Sequence, residues 1–581
     1  MSIKWVTIRY SRTYALSPQQ VTCMVKNLKG ISIMSTRSIL VNFNGYPSTM
    51  NSLVPDNGLA NLAGSLFETG HETLILDYST VDTIRRMAPQ ELQTALSDAY
   101  EAFLTDMRTA GKLSEKTSNL LIELDRKLEQ HKEEEFIRIA DEIINKIEEV
   151  NADFIGFKLW TGDGFYGSEK IARHIRGKYP DLKIFAGGPH VDFFKENILH
   201  YTDVFDAIAY GEGEETISLL AEYVEGKRKL FEIPNLIYKQ DREIKFTDLK
   251  RVEDLNLLPD PIYDDEIYPA MKGNQKIKFI MIDESRGCPN ACHFCIHPLK
   301  SGNRWRLRDV TKIADLMERL GNKVGTNAFR LAGSNTPAHL KNELALEIIK
   351  RGLKVRYVSF GHARDADKED YELLHKSGCV SLFFGVESGS QEILDKDINK
   401  GVKVEQIIRA LKRAEKAELL TVASIIAPCP HETPETLKQT LDVLVKAKPD
   451  SIVIQPPCVI PGTQWYANSS KLGFELHEDY IEKSMIYRIR ALLPLILWDP
   501  MPYRIGGKTY YEAIAMAQGL AIELEKKGRI TGIDDYLFLV ASYLNISPKE
   551  ARDRDKRLFF TGDYSGIERM VNMFNERVTA P

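Results

Sequence analysis

The chain has 581 residues, of which 43% are hydrophobic and 27% are charged, and its formal net charge is −5. This length exceeds what one hydrophobic core usually serves, so we expect several domains. The lack of a basic excess argues against nucleic acid as a partner, and the apolar runs are too short for a transmembrane segment. No secretory apolar stretch follows the first residues, and the seven cysteines are too unevenly spread for a disulfide framework, so we expect a cytoplasmic protein.

The first clear pattern is an alternation of short apolar runs with amphipathic helices. Residues 1–33 match no periodic element and form an extension, so translation could start at Met1 or at Met34. This βαβ order predicts a doubly wound, Rossmann-like parallel sheet over residues 34–250. The charged stretch at about 89–150 has apolar residues at helical spacing and is predicted to be a helical insertion. The predicted strands lie at 39–43, 73–77, 152–160, 182–188 and 206–214, and the first helix at about 57–68.

A connector follows, because Pro259 and Pro261 stand close together in a polar setting that disfavours helix. We place this linker over residues 251–275. Beyond it, six more apolar runs alternate with helices, which predicts a partial (β/α)6 barrel over 276–474. From about residue 475 the pattern becomes helical without clear strands, so a mostly helical C-terminal domain is expected over 475–581. The six runs lie at 279–285, 328–334, 354–360, 381–387, 421–427 and 451–455.

Three cysteines crowd together after the first strand of this second series, in the string Glu-Ser-Arg-Gly-Cys-Pro-Asn-Ala-Cys-His-Phe-Cys. Thiolates hold iron–sulfur clusters, and a cubane has four irons to ligate. Ligation by Cys288, Cys292 and Cys295 would leave one iron open for a small molecule. The alternative is a zinc site with His293 or His297 as fourth ligand, but zinc sites usually pair their cysteines as C-x2-C.

This CxxxCxxC loop resembles that of the radical S-adenosylmethionine (SAM) superfamily, in which an aromatic residue such as Phe294 commonly precedes the last cysteine. The resemblance implies a [4Fe-4S] cluster on the three cysteines, with SAM at the open iron and cleaved by one electron to a 5′-deoxyadenosyl radical. The string Phe-Gly-Val-Glu-Ser-Gly-Ser resembles the family's fourth-strand element, so Glu387 and Ser388 are implied to contact SAM, as is Phe294 of the cysteine loop. Gly333 and Ser334 stand where the family's backbone meets the methionine amino group, although Gly-Ser-Asn is also an ordinary turn.

Further strings match landmarks of the same family in order. They are Asn-Lys-Gly ending at Gly401, Glu-Thr ending at Thr433 and Pro-Gly-Thr ending at Thr463. One string departs from the family, because Pro-Cys-Pro-His-Glu-Thr lacks both glycines of the usual G-x-P-G-E-T loop. The shape of the loop near the adenine therefore does not carry over to this chain.

Three glycine-containing strings fall at predicted carboxyl ends of strands in the first sheet, the edge where open α/β sheets bind ligands. Glycine there lets the backbone approach a large ring closely, although each string alone could be an ordinary βα turn. In series before a radical SAM motif, they resemble the cobalamin-binding domain of class B radical SAM enzymes. The resemblance implies cobalamin contacts from Thr161, Gly162, Asp163, Gly187, Gly188, Pro189, His190, Gly211, Glu212 and Gly213.

The sequence has no D-x-H-x-x-G string, so the resemblance implies a cobalt without a histidine below it and places His190 in a turn or pocket wall. Cobalamin of that kind typically carries a methyl group, which implies methylation of a carbon centre in a small-molecule or lipid-like substrate. The alternative is cyclisation, ring contraction or carbon–carbon coupling with the same cofactors. The resemblance also implies an external electron donor such as flavodoxin or ferredoxin.

Two other classes of protein are disfavoured by the motifs. Radical methylthiotransferases carry a second cluster on three cysteines of the amino-terminal domain, whereas Cys23 alone precedes Cys288 here. A cobalamin-sensing protein without activity would leave the cysteine loop and the Glu387 string unexplained. We therefore predict an enzyme with a single cluster.

Overall fold

The computed structural model describes residues 35–488, 490 and 493–578. From Thr36 onward the chain forms one compact unit. The predicted extension over 1–33 and the alternative start at Met34 lie outside the described residues. None of the helices in the described part is long and apolar enough to cross a membrane.

The first half of the compact unit is built on a seven-stranded sheet in the order β2-β1-β3-β4-β5-β6-β7. Strands β1 to β5 pair in parallel, which confirms the predicted doubly wound sheet, and β6 and β7 add an antiparallel edge. The sequence pattern does not predict this edge hairpin. Its turn uses Asp241 and Arg242, both with positive φ, where the usual glycine signal is missing. The strands are Arg37–Asn42 (β1), Glu72–Asp77 (β2), Phe154–Lys158 (β3), Lys183–Gly187 (β4), Ala207–Ala209 (β5), Leu236–Gln240 (β6) and Glu243–Phe246 (β7).

Helices cover both faces of this sheet. Alternate residues of β1 point to opposite faces, so Leu40 packs in the core with α1 and α8, whereas Ile39 packs in the core with α4 and α5. Helix α1 begins after Asp56, whose carboxylate accepts the Leu59 N–H at 2.8 Å. Helices α3 and α4 occupy the stretch that the charge pattern assigns to a helical insertion. The helices are Asn57–Glu68 (α1), Val81–Met87 (α2), Gln90–Thr109 (α3), Glu115–Val150 (α4), Asp163–Lys178 (α5), Pro189–Phe194 (α6), Glu196–Tyr201 (α7) and Glu214–Val224 (α8).

The second half centres on six parallel strands in the order β15-β14-β13-β12-β11-β8. The strands at the two ends, β8 and β15, do not pair with each other, so the sheet is an open barrel, as the alternating pattern predicts. The strands of this half are Ile280–Ile282 (β8), Ser285–Arg286 (β9), Arg306–Leu307 (β10), Ala328–Leu331 (β11), Arg356–Gly361 (β12), Cys379–Glu387 (β13), Leu420–Ile426 (β14) and Ser451–Gln455 (β15). Its helices are His297–Ser301 (α9), Val310–Val324 (α10), Ala338–Arg351 (α11), Tyr371–Lys376 (α12), Gln391–Ile393 (α13), Val404–Lys416 (α14), Pro434–Ala447 (α15) and Gln464–Ala467 (α16).

The C-terminal region is mostly helical, as predicted, but it also contains a two-stranded antiparallel sheet. The expectation of a region without strands is therefore wrong at Phe474–Leu476 (β16) and Tyr503–Ile505 (β17). Three-residue strands are too short to display alternation, and these two meet through packing between segments that are distant in the chain. The helices are Tyr480–Met485 (α17), Tyr510–Lys526 (α18), Asp535–Leu544 (α19), Pro548–Thr561 (α20) and Tyr564–Val578 (α21).

Candidate functional site

A cavity of about 350 Å³ lies between the carboxyl edge of the first sheet and the loops that follow β8 and β11. The second half contributes Asp283, Arg286, His297 and Ser334 to its lining. Of these, Ser334 is a predicted SAM contact. Six predicted cobalamin contacts line the cavity from the sheet, and they are Gly187, Gly188, Pro189, Gly211, Glu212 and Gly213.

Two glycines of this edge have backbone conformations that L side chains rarely adopt. The φ angles are 101° at Gly188 and 77° at Gly211. A Cβ atom on Gly188 would lie 3.0 Å from the Leu159 carbonyl oxygen, and one on Gly211 would lie 2.9 Å from the Leu249 side chain. The path of the chain therefore requires glycine here, and the missing side chains keep the edge of the sheet open.

Ion pairs join the loop after β5 to the loop after β8. Arg306 donates to both carboxylate oxygens of Glu212, with 2.9 Å between Nη1 and Oε2. Arg286 donates to Glu214 and also to Asp283, the latter at 2.7 Å. Burial alone would raise the pKa of Asp283, but the charge and hydrogen bond of Arg286, together with the charge of Arg308 and a hydrogen bond from Asn61, hold that pKa below its usual value. The network therefore ties together loops from the two halves of the molecule.

The Thr-Gly-Asp string after β3 lies outside the cavity lining. Asp163 is the first residue of α5, and its carboxylate accepts hydrogen bonds from Lys132 at 3.0 Å and from Arg488 at 2.9 Å. Thr161 and Gly162 precede it in the same turn. Asp163 therefore holds α4 and the C-terminal segment together, and its predicted contact with cobalamin stays a prediction.

His190 also lies outside the cavity lining, in an aromatic cluster. Its side chain is 0% exposed and stacks on Phe165, with 4.2 Å between the ring centroids, and Phe194 lies 4.7 Å away. Burial lowers the pKa of His190 to about 3, so the imidazole is neutral. This placement makes His190 a core residue beneath the loop that lines the cavity.

The cysteine loop is anchored through its first residues. The Cys288 N–H donates to the Gly302 carbonyl oxygen at 3.0 Å. Gly287 has a φ of 84°, and a Cβ atom there would lie 2.0 Å from the Arg304 carbonyl oxygen. A glycine is therefore required directly before the first cysteine.

All three thiols of this loop are free, with Cys288 buried and Cys292 and Cys295 half-buried. Burial raises the pKa of Cys292 and raises that of Cys295 to about 11, so both thiols are protonated in the absence of a metal. Across the described ranges, no three His, Cys, Asp or Glu side chains already converge as a metal site. The donor set nevertheless fits an iron–sulfur cluster, because three thiols on one loop can each lose a proton on ligation.

Glu387 ends β13 and forms a buried ion pair with Lys400, with 2.7 Å between the carboxylate and the ammonium nitrogen. Its φ is 64°, a strained value for a residue other than glycine. Lys400 belongs to the Asn-Lys-Gly string, and its charge opposes the effect of burial on the pKa of Cys292. Glu387, Lys400 and the cysteine loop therefore share one region at the barrel mouth.

The other predicted SAM residues make contacts within the protein. The Ser388 hydroxyl accepts a backbone N–H two residues later at 3.1 Å. The Gly333 N–H donates to the buried Glu284 carboxylate at 3.0 Å, and Phe294 packs against Trp465 with 5.6 Å between the ring centroids. These residues shape the barrel mouth, and their contact with SAM stays a prediction.

Asp283, Arg286 and His297 are among the cavity-lining residues that the sequence does not predict as part of the site. A local signal was available for the first two, because both are charged residues that stand within five positions before Cys288. His297 was considered as a zinc ligand, but its Nδ1 lies 2.9 Å from the Ser334 hydroxyl. Burial lowers the pKa of His297 to about 4, so its imidazole is neutral.

Comparison with known proteins identifies two regions. The Radical SAM superfamily matches residues 284–444, and the B12 binding domain matches residues 125–221. An uncharacterized methyltransferase of Pyrococcus horikoshii is 27% identical over 337 residues, which are 57% of this chain and 72% of that protein. An anaerobic magnesium-protoporphyrin IX monomethyl ester cyclase of Rubrivivax gelatinosus is 28% identical over 321 residues, which are 53% of this chain and 57% of the cyclase.

The structure is also similar to that of TsrM from Kitasatospora setae, a radical S-adenosylmethionine methyltransferase solved with cobalamin and a [4Fe-4S] cluster bound. The TM-score is 0.62 at 17% sequence identity, and the match covers 92% of this chain and 99% of TsrM. At this identity the similarity is one of fold. The cavity is lined by residues of both matched regions, from Gly156 to Leu220 in one and from Ser285 to Ser334 in the other.

Proposed function

Because the chain belongs to the cobalamin-dependent radical SAM family, we propose that it is an enzyme that methylates a carbon centre of a small-molecule or lipid-like substrate. The observation that carries this proposal is the shared cavity, in which the glycine edge of the first sheet faces the loops of the barrel. A cofactor held by the sheet and one held by the barrel would therefore face each other across this cavity.

The residues present suit three bound groups. Cys288, Cys292 and Cys295 would ligate a [4Fe-4S] cluster, Glu387 would accept hydrogen bonds from SAM, and the glycine loops after β4 and β5 would hold cobalamin. When bound, these groups supply hydrogen-atom abstraction and a transferable methyl group. The protein's own contribution is positioning, since Lys400 orients the Glu387 carboxylate and the Arg286 and Arg306 pairs hold the two sets of loops together.

A second candidate function is cyclisation or coupling without net methyl transfer. The similarity to a magnesium-protoporphyrin cyclase favours it, because that protein matches this chain at about the same identity as the methyltransferase. The two candidates use the same cavity, and they differ in whether the product gains a methyl group.

Product analysis with methyl-deuterated SAM separates these two functions. A methyltransferase consumes two molecules of SAM per turnover, so S-adenosylhomocysteine and 5′-deoxyadenosine should form in roughly equal amounts with a deuterated product. Reconstituted protein would be incubated anaerobically with cell extract as the source of substrate and analysed by mass spectrometry. Product without deuterium and without S-adenosylhomocysteine would contradict methylation and leave the cofactor proposal standing.

The cofactor proposal has its own test in the cysteine loop. Reconstituted wild-type protein should contain about four irons per chain, and replacement of Cys288, Cys292 and Cys295 by Ala should abolish the cluster absorbance because no thiolate remains. Cys379→Ala is the matched control, since Cys379 is buried in β13 outside this loop. A full cluster in the triple variant would contradict the assignment.

A further inference from the structure

His362 follows the third strand of the barrel, β12, and extends its inner face. Two residues earlier, the Phe360 ring lies 5.6 Å from the Phe383 ring and 4.7 Å from the Arg330 guanidinium. Tyr357 points to the opposite face of β12 and packs in the core with helices α10 and α11, which cover the outside of the barrel. Since side chains two residues apart share a face, His362 points to the inside at the carboxyl end of the barrel.

The imidazole of His362 has one unused hydrogen-bond donor. Its Nδ1 accepts the backbone N–H of Arg364 at 3.2 Å. Burial, followed by the charge of Lys400, lowers the pKa of His362 to about 3, so the ring is neutral and its proton sits on Nε2. Nε2 is buried and has no partner among the residues that the structure describes. A buried donor without an acceptor costs free energy, so a ligand is the expected partner.

The charges around His362 favour an anionic acceptor. Lys400, Arg364 and Lys341 are the three charges that act on its pKa, and all are cations. Lys400 is paired with Glu387, and Lys341 is paired with Glu369. Arg364 donates to the carbonyl oxygens of Gly401 at 3.0 Å and Lys400 at 3.2 Å, and in the described ranges it forms no ion pair with a carboxylate. Of these three cations, Arg364 is therefore the one whose charge no carboxylate in the described ranges compensates, and its charge acts on the His362 ring.

We propose that His362 and Arg364 form a carboxylate-binding subsite at the barrel mouth. A carboxylate can accept the Nε2–H and a guanidinium N–H with different lone pairs, and such charge-assisted bonds are strong. The subsite rests on the proposed function, because its ligand is either the carboxylate of SAM or a carboxylate of the substrate. In both cases His362 is a positioning residue that orients the bound molecule.

Binding to reconstituted, unreduced holoenzyme tests the first source of the carboxylate. SAM and decarboxylated SAM would be titrated calorimetrically into wild type, His362→Leu and His362→Gln. If the carboxylate of SAM occupies the subsite, His362→Leu should weaken SAM binding roughly ten- to a hundredfold and leave decarboxylated SAM unaffected. His362→Gln keeps a side-chain N–H and should restore most of the affinity. His375→Leu on the exposed face of α12 is the control, and thermal unfolding checks that each variant folds.

Nuclear magnetic resonance tests the second source. The Nε2 signal of His362 in ¹⁵N-histidine-labelled, SAM-loaded holoenzyme is assigned by its loss in His362→Gln. If a substrate carboxylate occupies the subsite, acetate should shift this signal and acetamide should not. A His362→Leu variant that binds SAM normally, together with a signal that ignores acetate, would overturn the subsite. Wild-type protein that assembles no cluster and binds no SAM would instead contradict the proposed function.

Discussion

His297 lines the cavity from the barrel side, whereas none of the residues that line it from the first sheet is a histidine. His190, which follows the Gly-Gly-Pro string, is withdrawn into an aromatic cluster. The absence of a D-x-H-x-x-G string and the placement of His190 therefore agree. If cobalamin binds on the glycine edge, no imidazole from the described part of the sheet is available below the cobalt.

This arrangement predicts the electron paramagnetic resonance spectrum of the protein with bound cob(II)alamin. We expect no superhyperfine splitting from a protein imidazole nitrogen, because the sheet offers none. His297→Ala serves as the control for a ligand from the barrel side. Splitting that persists in His297→Ala and changes when the protein histidines are labelled with ¹⁵N would mean that another histidine reaches the cobalt and would contradict the placement of the cofactor on this edge.

At the scale of elements, the loop after β5 depends on Arg286 of the cysteine loop. The Arg286 side chain is 13% exposed, and it forms ion pairs with Glu214 and Asp283. Removing one partner of a buried ion pair leaves the other charge without compensation. The two loops are therefore mutually dependent.

We predict that Arg286→Ala lowers the free energy of unfolding by about 3–5 kcal/mol, because two buried carboxylates lose their cation. Arg286→Lys should recover only part of this loss, since Nη2 bonds Glu214 and Asp283 while Nη1 lies 3.6 Å from Glu212, and a single ammonium nitrogen cannot reproduce both positions. Urea denaturation measures both changes. Arg319→Ala removes the exposed pair with Asp260 and should cost under about 1 kcal/mol. Equal losses of unfolding free energy in Arg286→Ala and Arg319→Ala would contradict a buried network.

Helix α20 carries a carboxyl group whose titration opposes folding. Asp555 accepts the Met50 N–H at 2.9 Å, and burial raises its pKa to about 7, with the charge of Asp534 adding to the rise and Lys556 opposing it. The unfolded chain has a pKa of about 3.9 for this group. Between these values the folded state holds a proton that the unfolded state lacks, so stability falls as the pH rises from about 4 to about 7.

Asp555→Asn should therefore stabilise the protein above neutral pH, on the order of 2–4 kcal/mol, and change little near pH 4. The amide oxygen can still accept the Met50 N–H. Unfolding free energies measured from pH 4 to pH 8 would display the change in slope. Asp553→Asn, exposed on the same helix, should give no such gain. An unchanged pH profile in Asp555→Asn would mean that the carboxyl group titrates normally in the folded state.

At the scale of the whole molecule, the hydrophobic cores cross the boundaries that the sequence pattern suggests. One core joins Leu59 of α1 to Leu316 of α10, and the other joins Ile39 of β1 to Phe574 of α21. The residues from Thr36 onward accordingly form one compact unit. The predicted domain limits at residues 250, 275 and 474 stay predictions, because the two hydrophobic cores extend across them.

We expect the protein without cofactors to unfold in one cooperative transition, since neither half keeps a complete core without the other. Far-ultraviolet circular dichroism and tryptophan fluorescence should then give the same midpoint. The difference in fluorescence between wild type and Trp160→Phe gives the contribution of Trp160, which lies in the first half. Two separate midpoints, with Trp160 reporting the earlier one, would contradict a shared core.

The local features of this protein could be predicted from its sequence. The strands alternate with helices at the expected places, and helix Asn57–Glu68 begins and ends at the predicted residues. The cysteine loop and the glycines of the sheet edge are also local signals, because a metal loop and a positive φ each demand particular residue types within a few positions. These signals do not depend on what the rest of the chain does.

Only the tertiary structure decided which side chains share the cavity. Asp163 and His190 belong to strings of the same kind as Gly211-Glu-Gly, yet Asp163 is bound by Arg488, 325 residues away, and His190 is buried. Glu212 lines the cavity and pairs directly with Arg306, 94 residues away. Hydrophobic periodicity reports the face of each element but not the docking of one sheet against another. That docking arises from contacts between distant segments, and it placed Arg286 and His297 in the site.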